Sequence, residues 1–170
     1  MSMRIRDETA DDVEAISALT RAAFATAAHS SGNEADIVLA LRRRGRLSAS
    51  LLAEEDGQLL GHVALSPVTL SDGSAGWYGL GPISVLPASQ GKGIGSALMR
   101  AAIARLRQLG AAGCVLLGEP AYYQRFGFRC FSHLQLPGVP PEYFMALPLG
   151  GDVPAAVVSY DASFAVVAGE

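Results

Sequence analysis

Residues 48–86 most restrict what this chain can fold into. Apolar residues run there at strand spacing and are interrupted twice by Asp-Gly, in Glu55-Asp56-Gly57 and in Ser71-Asp72-Gly73-Ser74. Asp-Gly between apolar runs is a strong short hairpin signal, because tight primed turns need positive φ at their centre. Three consecutive antiparallel strands are expected, over residues 48–54, 58–70 and 77–86. The period then becomes helical over residues 94–109. Ile94, Leu98, Met99, Ala101, Ala102, Ile103, Leu106 and Leu109 share a broad apolar face, with Ser96, Arg100, Arg105 and Arg107 outside it and Gly110 as the stop. Residues 113–117 are again an apolar run of strand length, so strand, helix and strand make a parallel crossover after the meander. A mixed, mostly antiparallel central sheet flanked by helices follows, in one α+β domain over residues 1–170.

The flanking segments are consistent with that layout. Residues 4–6 predict a short strand, and Thr9 with Asp12 three positions on is a variant capping box. Val13, Ile16, Leu19 and Ala23 then mark one face of a first helix, with Asp11, Glu14, Ser17 and Arg21 off that stripe. His29-Ser30-Ser31-Gly32 reads as a loop. Asn33 is placed to cap a second helix carrying Ile37, Val38 and Leu41 and ending in Arg42-Arg43-Arg44, a solvated helix end favoured by the macrodipole. Past the crossover, Pro120 opens a short helical segment to Phe126, closed by Gly127. Residues 138–141 form a turn, residues 143–149 and 155–160 read as strands, and residues 162–170 are an edge strand or a frayed end. The C-terminal strands could serve a homodimer.

Composition narrows the class. Half the residues are apolar, 17% are charged and the net charge is −3, which excludes a disordered chain and a dense basic surface for nucleic acid. The apolar stretch 111–117 is far short of the roughly 20 residues that cross a bilayer, so no membrane partner is expected. The first residues turn acidic at once and lack an apolar leader core, which predicts a cytoplasmic protein. Cys114 and Cys130 lack metal or redox spacing and read as two buried thiols. His29, His62 and His133 stand apart in sequence, so no metal site is expected.

The stretch Leu86-Pro87-Ala88-Ser89-Gln90-Gly91-Lys92-Gly93-Ile94-Gly95-Ser96 joins a predicted strand to the long helix. Glycines at alternate positions leave backbone N–H groups unobstructed at a helix N-terminus, where the dipole favours an anion such as phosphate or pyrophosphate. A P-loop is excluded, because Leu86 stands where its first glycine belongs and Gly93 where Ser or Thr should follow Lys92. The G-x-G-x-G spacing after an antiparallel meander also fails the dinucleotide fingerprint.

These residues resemble the GNAT superfamily of acyl-CoA-dependent N-acyltransferases, whose signature Q/R-x-x-G-x-G/A is met by Gln90, Gly93 and Gly95. The order of elements is similar to theirs over nearly the whole chain. The resemblance implies acetyl-CoA as cosubstrate, with its pyrophosphate held by the amides of Gly91, Lys92, Gly93, Ile94, Gly95 and Ser96. It also implies that Ile83, Ser84 and Val85 lend backbone groups to the pantetheine arm.

A second match, Tyr122-Tyr123-Gln124-Arg125-Phe126-Gly127-Phe128, resembles the short GNAT helix ending in Gly-Phe. Tyr123 is then the acid that protonates the departing CoA thiolate, a role that suits a phenol, while Tyr122, Phe126 and Phe128 read as packing aromatics. An amine acceptor must also lose a proton. Many members carry a glutamate on the strand before the pyrophosphate loop, yet residues 77–86 hold no carboxylate. Glu34, Asp36, His62, Glu119 and a water chain stand as alternatives for the base. The expected function is acetyl transfer from acetyl-CoA to a small-molecule or peptide amine by direct attack in a ternary complex. A non-catalytic acyl-CoA sensor and a nucleotide-binding domain are the alternatives.

Overall fold

The computed structural model describes residues 2–25 and 32–165. Nine strands and four α-helices are assigned among them. Strand β1 (Arg4–Asp7) leads through a 3-10 turn into α1 (Val13–Phe24), and α2 (Glu34–Arg43) follows. The meander is β2 (Ala49–Glu55), β3 (Gln58–Pro67), a two-residue β4 (Thr69–Leu70) and β5 (Trp77–Val85). After it come α3 (Ile94–Gln108), β6 (Gly113–Leu117), the single turn α4 (Pro120–Tyr123), β7 (Leu134–Gln135), β8 (Phe144–Pro148) and β9 (Ala156–Ser159).

The main sheet has the order β1-β2-β3-β5-β6-β8. Only the β5–β6 pair is parallel, as the crossover through α3 requires; the other pairs are antiparallel. The expected α+β architecture with a mixed sheet is therefore the observed one. One difference is a second sheet, β4-β9-β7. The strand expected over residues 58–70 breaks after Pro67, and Thr69 and Leu70 leave to pair with β9. Residues 155–160 thus extend a small sheet and not the large one.

Alternation along the strands sends Leu51, Ala53, Val63 and Leu65 to one face, where Ile94, Leu98, Met99, Ala102 and Leu106 of α3 bury against them. On the opposite face, Ile16, Val38 and Leu52 form a core under α1 and α2. Trp77, Val115, Phe144 and Ala146 there pack against Leu70, Leu134 and Val158 of the small sheet. That face therefore has two separate covers, a helix pair and a sheet. Among the described residues no helix is long and apolar enough to cross a membrane.

Several local expectations are corrected. Cys114 is buried, but Cys130 is exposed. Phe128 takes the core position, and Cys130 lies where the chain leaves the sheet edge after the Arg129–Ala146 bridge. Ser17 is buried rather than turned to water, as is Thr20, whose hydroxyl donates to the Ile16 carbonyl at 2.8 Å. Leu109 is exposed, since α3 ends before it. Arg42 and Arg44 are not merely solvated: Arg42 pairs bidentately with Glu8 at 2.8 Å, and Arg44 with Asp161 at 3.0 Å. Residues 162–165 form a 3-10 turn instead of a strand. The loop at 29–31 and residues 166–170 lie outside the described residues.

Candidate active site

The site begins with a parting of strands. β5 and β6 pair through Trp77–Gly113, Tyr78–Cys114 and Gly79–Val115 only. Beyond those pairs each strand keeps its outer neighbour, Val85 opposite Gly61 on β3 and Leu117 opposite Phe144 on β8, but not the other. The cause lies in β5. Between the pairs Leu65–Leu80 and Val63–Ile83, β5 advances three residues against two on β3, a bulge at Gly81 and Pro82. Proline has no N–H to give a neighbouring strand, and a bulge bends and twists the strand that holds it. Splayed strands are what the family resemblance implies; what sequence reasoning did not single out is the proline inside a predicted central strand that marks where they part.

The gap becomes a cleft of about 610 Å³. Its floor is Leu80, Gly81, Pro82, Ile83, Leu116 and Leu117; Phe24, Glu34 and Ile37 close it from the helix pair, and Leu136, Val139, Tyr160 and Phe164 from the other side. It lies where the two covers of that face meet. Tyr123 lines it as well. Burial pushes the Tyr123 phenol above the ordinary tyrosine range, with the neighbouring Tyr122 adding to the shift.

Gly118 sets the place of that ring. A Cβ on Gly118 would stand 2.2 Å from Tyr123 Cε2, closer than any real contact, so the phenol lies flat against bare backbone. No motif pointed to Gly118; its signal was a glycine directly after β6 and before the short helix.

A second pocket, of about 380 Å³, is lined by Val85, Ser89, Gln90, Gly91, Gly93, Ile94, Gly95 and Ser96 with Tyr122 and Arg125. Gly91 (φ +77°) and Gly93 (φ +82°) take left-handed backbone there, which side-chain-bearing residues rarely adopt. The first intrahelical bond of α3 is Ala97 N–H to Gly93 O, at 3.0 Å, so the amides just before Ala97 precede the ladder and are open to an anion. Gln90 donates from Nε2 to the Val85 carbonyl at 3.2 Å and ties the end of β5 to the loop. Lys92 is exposed and does not line the pocket.

The two pockets meet through adjacent tyrosines. Tyr122 faces the glycine loop, its hydroxyl 3.3 Å from Ser96 Oγ, and its ring packs edge-on to Tyr123 at 4.9 Å. Tyr122 thus does more than fill core. Arg125 stacks on the Tyr122 ring at 4.5 Å and donates to the Tyr122 carbonyl at 2.8 Å, which sets a guanidinium beside the loop pocket. Phe126 is half-buried at the edge of the core, and Phe128 is fully buried.

The alternatives for the base fall in different places. Glu34 lines the cleft. Asp36 lies two residues on, 3.9 Å from Arg21. Glu119 is exposed at the start of α4 and borders an outer groove with Leu117 and Val139. His62 is fully buried beneath the helix pair, sharing a 2.7 Å hydrogen bond with Ser50 Oγ, which in turn bonds the Glu8 carboxylate paired to Arg42. Burial pushes the His62 imidazole down to about 4, with Glu8 opposing and Arg42 adding to the shift. Cys114 is buried among apolar side chains, and burial pushes its thiol up, away from nucleophilic thiolate.

The family model described as the acetyltransferase (GNAT) family matches residues 13–128, which span the helix pair, the meander, the glycine loop and the Tyr123 turn. The chain belongs to the GNAT acetyltransferase family. It is similar to the uncharacterized N-acetyltransferase YhbS of Escherichia coli K12, with 38% identity over 135 residues, 79% of this chain and 78% of that one. Among solved structures, a GNAT family acetyltransferase from Brucella melitensis in complex with acetyl-CoA shares 49% identity at a TM-score of 0.86, covering 96% of this chain and 98% of that chain. The Escherichia coli YhbS crystal structure in complex with CoA shares 32% identity at a TM-score of 0.83, covering 96% and 92%.

Proposed function

We propose that this GNAT protein transfers the acetyl group of acetyl-CoA to a primary amine by direct attack within a ternary complex. The carrying observation is the place of Tyr123, next to the residue that faces the glycine loop and itself on the wall of the cleft. The loop amides from Gly91 to Ser96, with Arg125 beside them, suit a pyrophosphate. The edge of β5 that β6 leaves unpaired offers backbone groups from Ile83 onward to an extended pantetheine arm, as an added strand would. The resemblance to relatives crystallised with acetyl-CoA and with CoA supports the same cosubstrate here.

In the reaction the neutral amine nitrogen attacks the thioester carbonyl, a C–N bond forms, the C–S bond breaks and the thiolate leaves. Tyr123 gives its proton to that thiolate. The amine loses its proton to a carboxylate or water; Glu34 lines the cleft and is the carboxylate we assign. Cys114 takes no part.

Tyr123→Phe tests the reading. Turnover is expected to fall about 10²- to 10⁴-fold, the span for a positioned acid, with much less change in acetyl-CoA affinity. Because the phenol titrates above its ordinary range, wild-type activity is expected to hold to high pH and then fall, a limb absent from the variant. Near-normal turnover in Tyr123→Phe would remove the phenol from the proton path. Binding of acetyl-CoA without CoA release across an amine panel would favour a sensor.

A further inference from the structure

Tyr123 and Tyr160 both line the cleft, and each ring is seated on a glycine of the parting strands. Tyr123 lies on Gly118, just past β6. Tyr160 lies on Gly79 of β5, where a Cβ would stand 3.0 Å from Tyr160 Cε2 and 3.2 Å from Val68 Cγ1. Gly79 faces Val115 in the last pair that joins β5 to β6, whereas Val85, at the other end of β5, borders the glycine loop. The Tyr160 ring therefore covers the vertex of the opening, at the end of the cleft away from the loop. It is held there on both sides in sequence. Ser159, the last residue of β9, pairs with Thr69 of the small sheet. Asp161 follows; its carboxylate accepts from the Ser163 amide at 2.9 Å and hydroxyl at 2.6 Å, and pairs with Arg44 at the end of α2 at 3.0 Å. That turn sets Phe164 edge-on to Tyr160 at 4.9 Å, with both rings on the cleft wall. Burial pushes the Tyr160 phenol well above the ordinary tyrosine range, Cys114 adding to the shift, so the ring stays neutral. Asn33 and Glu34 reach the cleft from the start of α2.

We infer that the Tyr160 ring sets the length of the acyl group, admitting acetyl and stopping medium-length chains such as hexanoyl. This rests on the acetyl-transfer reading above, in which the pantetheine arm lies along β5 with its thioester beside Tyr123. An arm that enters at the glycine loop and follows β5 points its acyl end at the vertex, so the methyl of an acetyl group faces Tyr160. A longer chain has to displace a ring that rests on bare backbone, packs on Phe164 and is tied to α2 through Asp161. Packed interiors resist added methylenes, because the neighbours that would yield are themselves held.

The test is calorimetric binding of CoA, acetyl-CoA and hexanoyl-CoA to the full-length protein, which needs no acceptor. The wild type is expected to bind acetyl-CoA at least about tenfold more tightly than hexanoyl-CoA. Tyr160→Leu keeps apolar cover over Gly79 and shortens the side chain. It is expected to shift the ratio of the two affinities about tenfold toward hexanoyl-CoA, with the Kd of CoA unchanged. Tyr160→Phe keeps the ring and should keep the ratio. Equal binding of the two thioesters by the wild type would overturn the inference, whatever the variants do. So would an unchanged ratio in Tyr160→Leu, or an equal weakening of all three ligands there, which is the mark of a purely structural role. A ratio lost as fully in Tyr160→Phe as in Tyr160→Leu would also overturn it, since the ring would not be the stop. Each of these outcomes leaves acetyl transfer standing. If acetyl-CoA does not bind at all, the transfer reading itself falls, and the inference with it.

Discussion

The loop pocket and the cleft lie one residue apart at Tyr122 and Tyr123, yet they are built in opposite ways. The loop pocket is mostly backbone: its walls are glycines, a helix N-terminus and the end of one strand, and residues 85–96 supply all but Tyr122 and Arg125. The cleft is mostly side chain, drawn from α1, α2, β5, β6, the segment after β7 and the C-terminal turn. A ligand held by amides asks only that nothing obstruct them, so a short glycine pattern suffices. A ligand held by hydrocarbon shape asks for many segments that are far apart in the chain.

The strongest way to sharpen that contrast is Gly118→Ala, whose methyl would stand 2.2 Å from Tyr123 Cε2. Displacing the phenol by even about 1 Å is expected to cost roughly 10²-fold in kcat, while acetyl-CoA affinity, set by the loop, holds. Steady-state rates and calorimetric binding on the same preparation check it; equal losses in both would mean that the ring supports the loop as well.

A smaller effect is expected from Gly95→Ala. Its Cβ would enter the loop pocket 3.4 Å from Tyr122 Oη and 3.8 Å from Val85 Cγ2, in helical backbone that alanine favours. Free-protein stability should hold or rise by up to about 1 kcal/mol, as acetyl-CoA binding weakens about tenfold. Gly93→Val is a blunter probe, since its φ of +82° strains any side chain. Unchanged affinity in Gly95→Ala would break the assignment of the loop.

The smallest effect on activity is expected at His62, which lies outside both pockets. Its folded pKa of about 4 is below the unfolded value of about 6.5, so the unfolded state takes up a proton first as pH falls. Stability is therefore complete above pH 6.5 and declines toward pH 4, by on the order of 3 kcal/mol in total. His62→Gln should flatten the part of this slope above the carboxylate range, read as thermal midpoint against pH, and leave turnover unchanged. A clear loss of turnover would return His62 to the proton path.

What could be read from the chain follows the same division. The two Asp-Gly turns, the α3 face and the β-length run after it were enough for the mixed sheet, because hairpins and crossovers are decided by local period and turn chemistry. The glycine loop was legible for a like reason. The small sheet was not: β4 and β7 are two residues each, too short to show a period, and they exist because β9 pairs with both. Tyr123 could be singled out by its resemblance, but not the bare backbone of Gly118 that seats it, nor Arg125 stacked beside the loop.

The sequence by itself determined the order of elements, the anion loop and the apolar faces, each encoded within a few turns of chain. Tertiary structure alone decided which charged residues meet. Arg42 reaches Glu8 and Arg44 reaches Asp161 across long separations, and Cys130 emerges at a sheet edge while Cys114 is enclosed. It also decided the cleft. The β5 bulge turns that strand from β6, and the gap takes its chemistry from whichever side chains the helix pair and the small sheet bring over it. A void between packed layers has no local pattern, because its walls are neighbours only after every layer is in place.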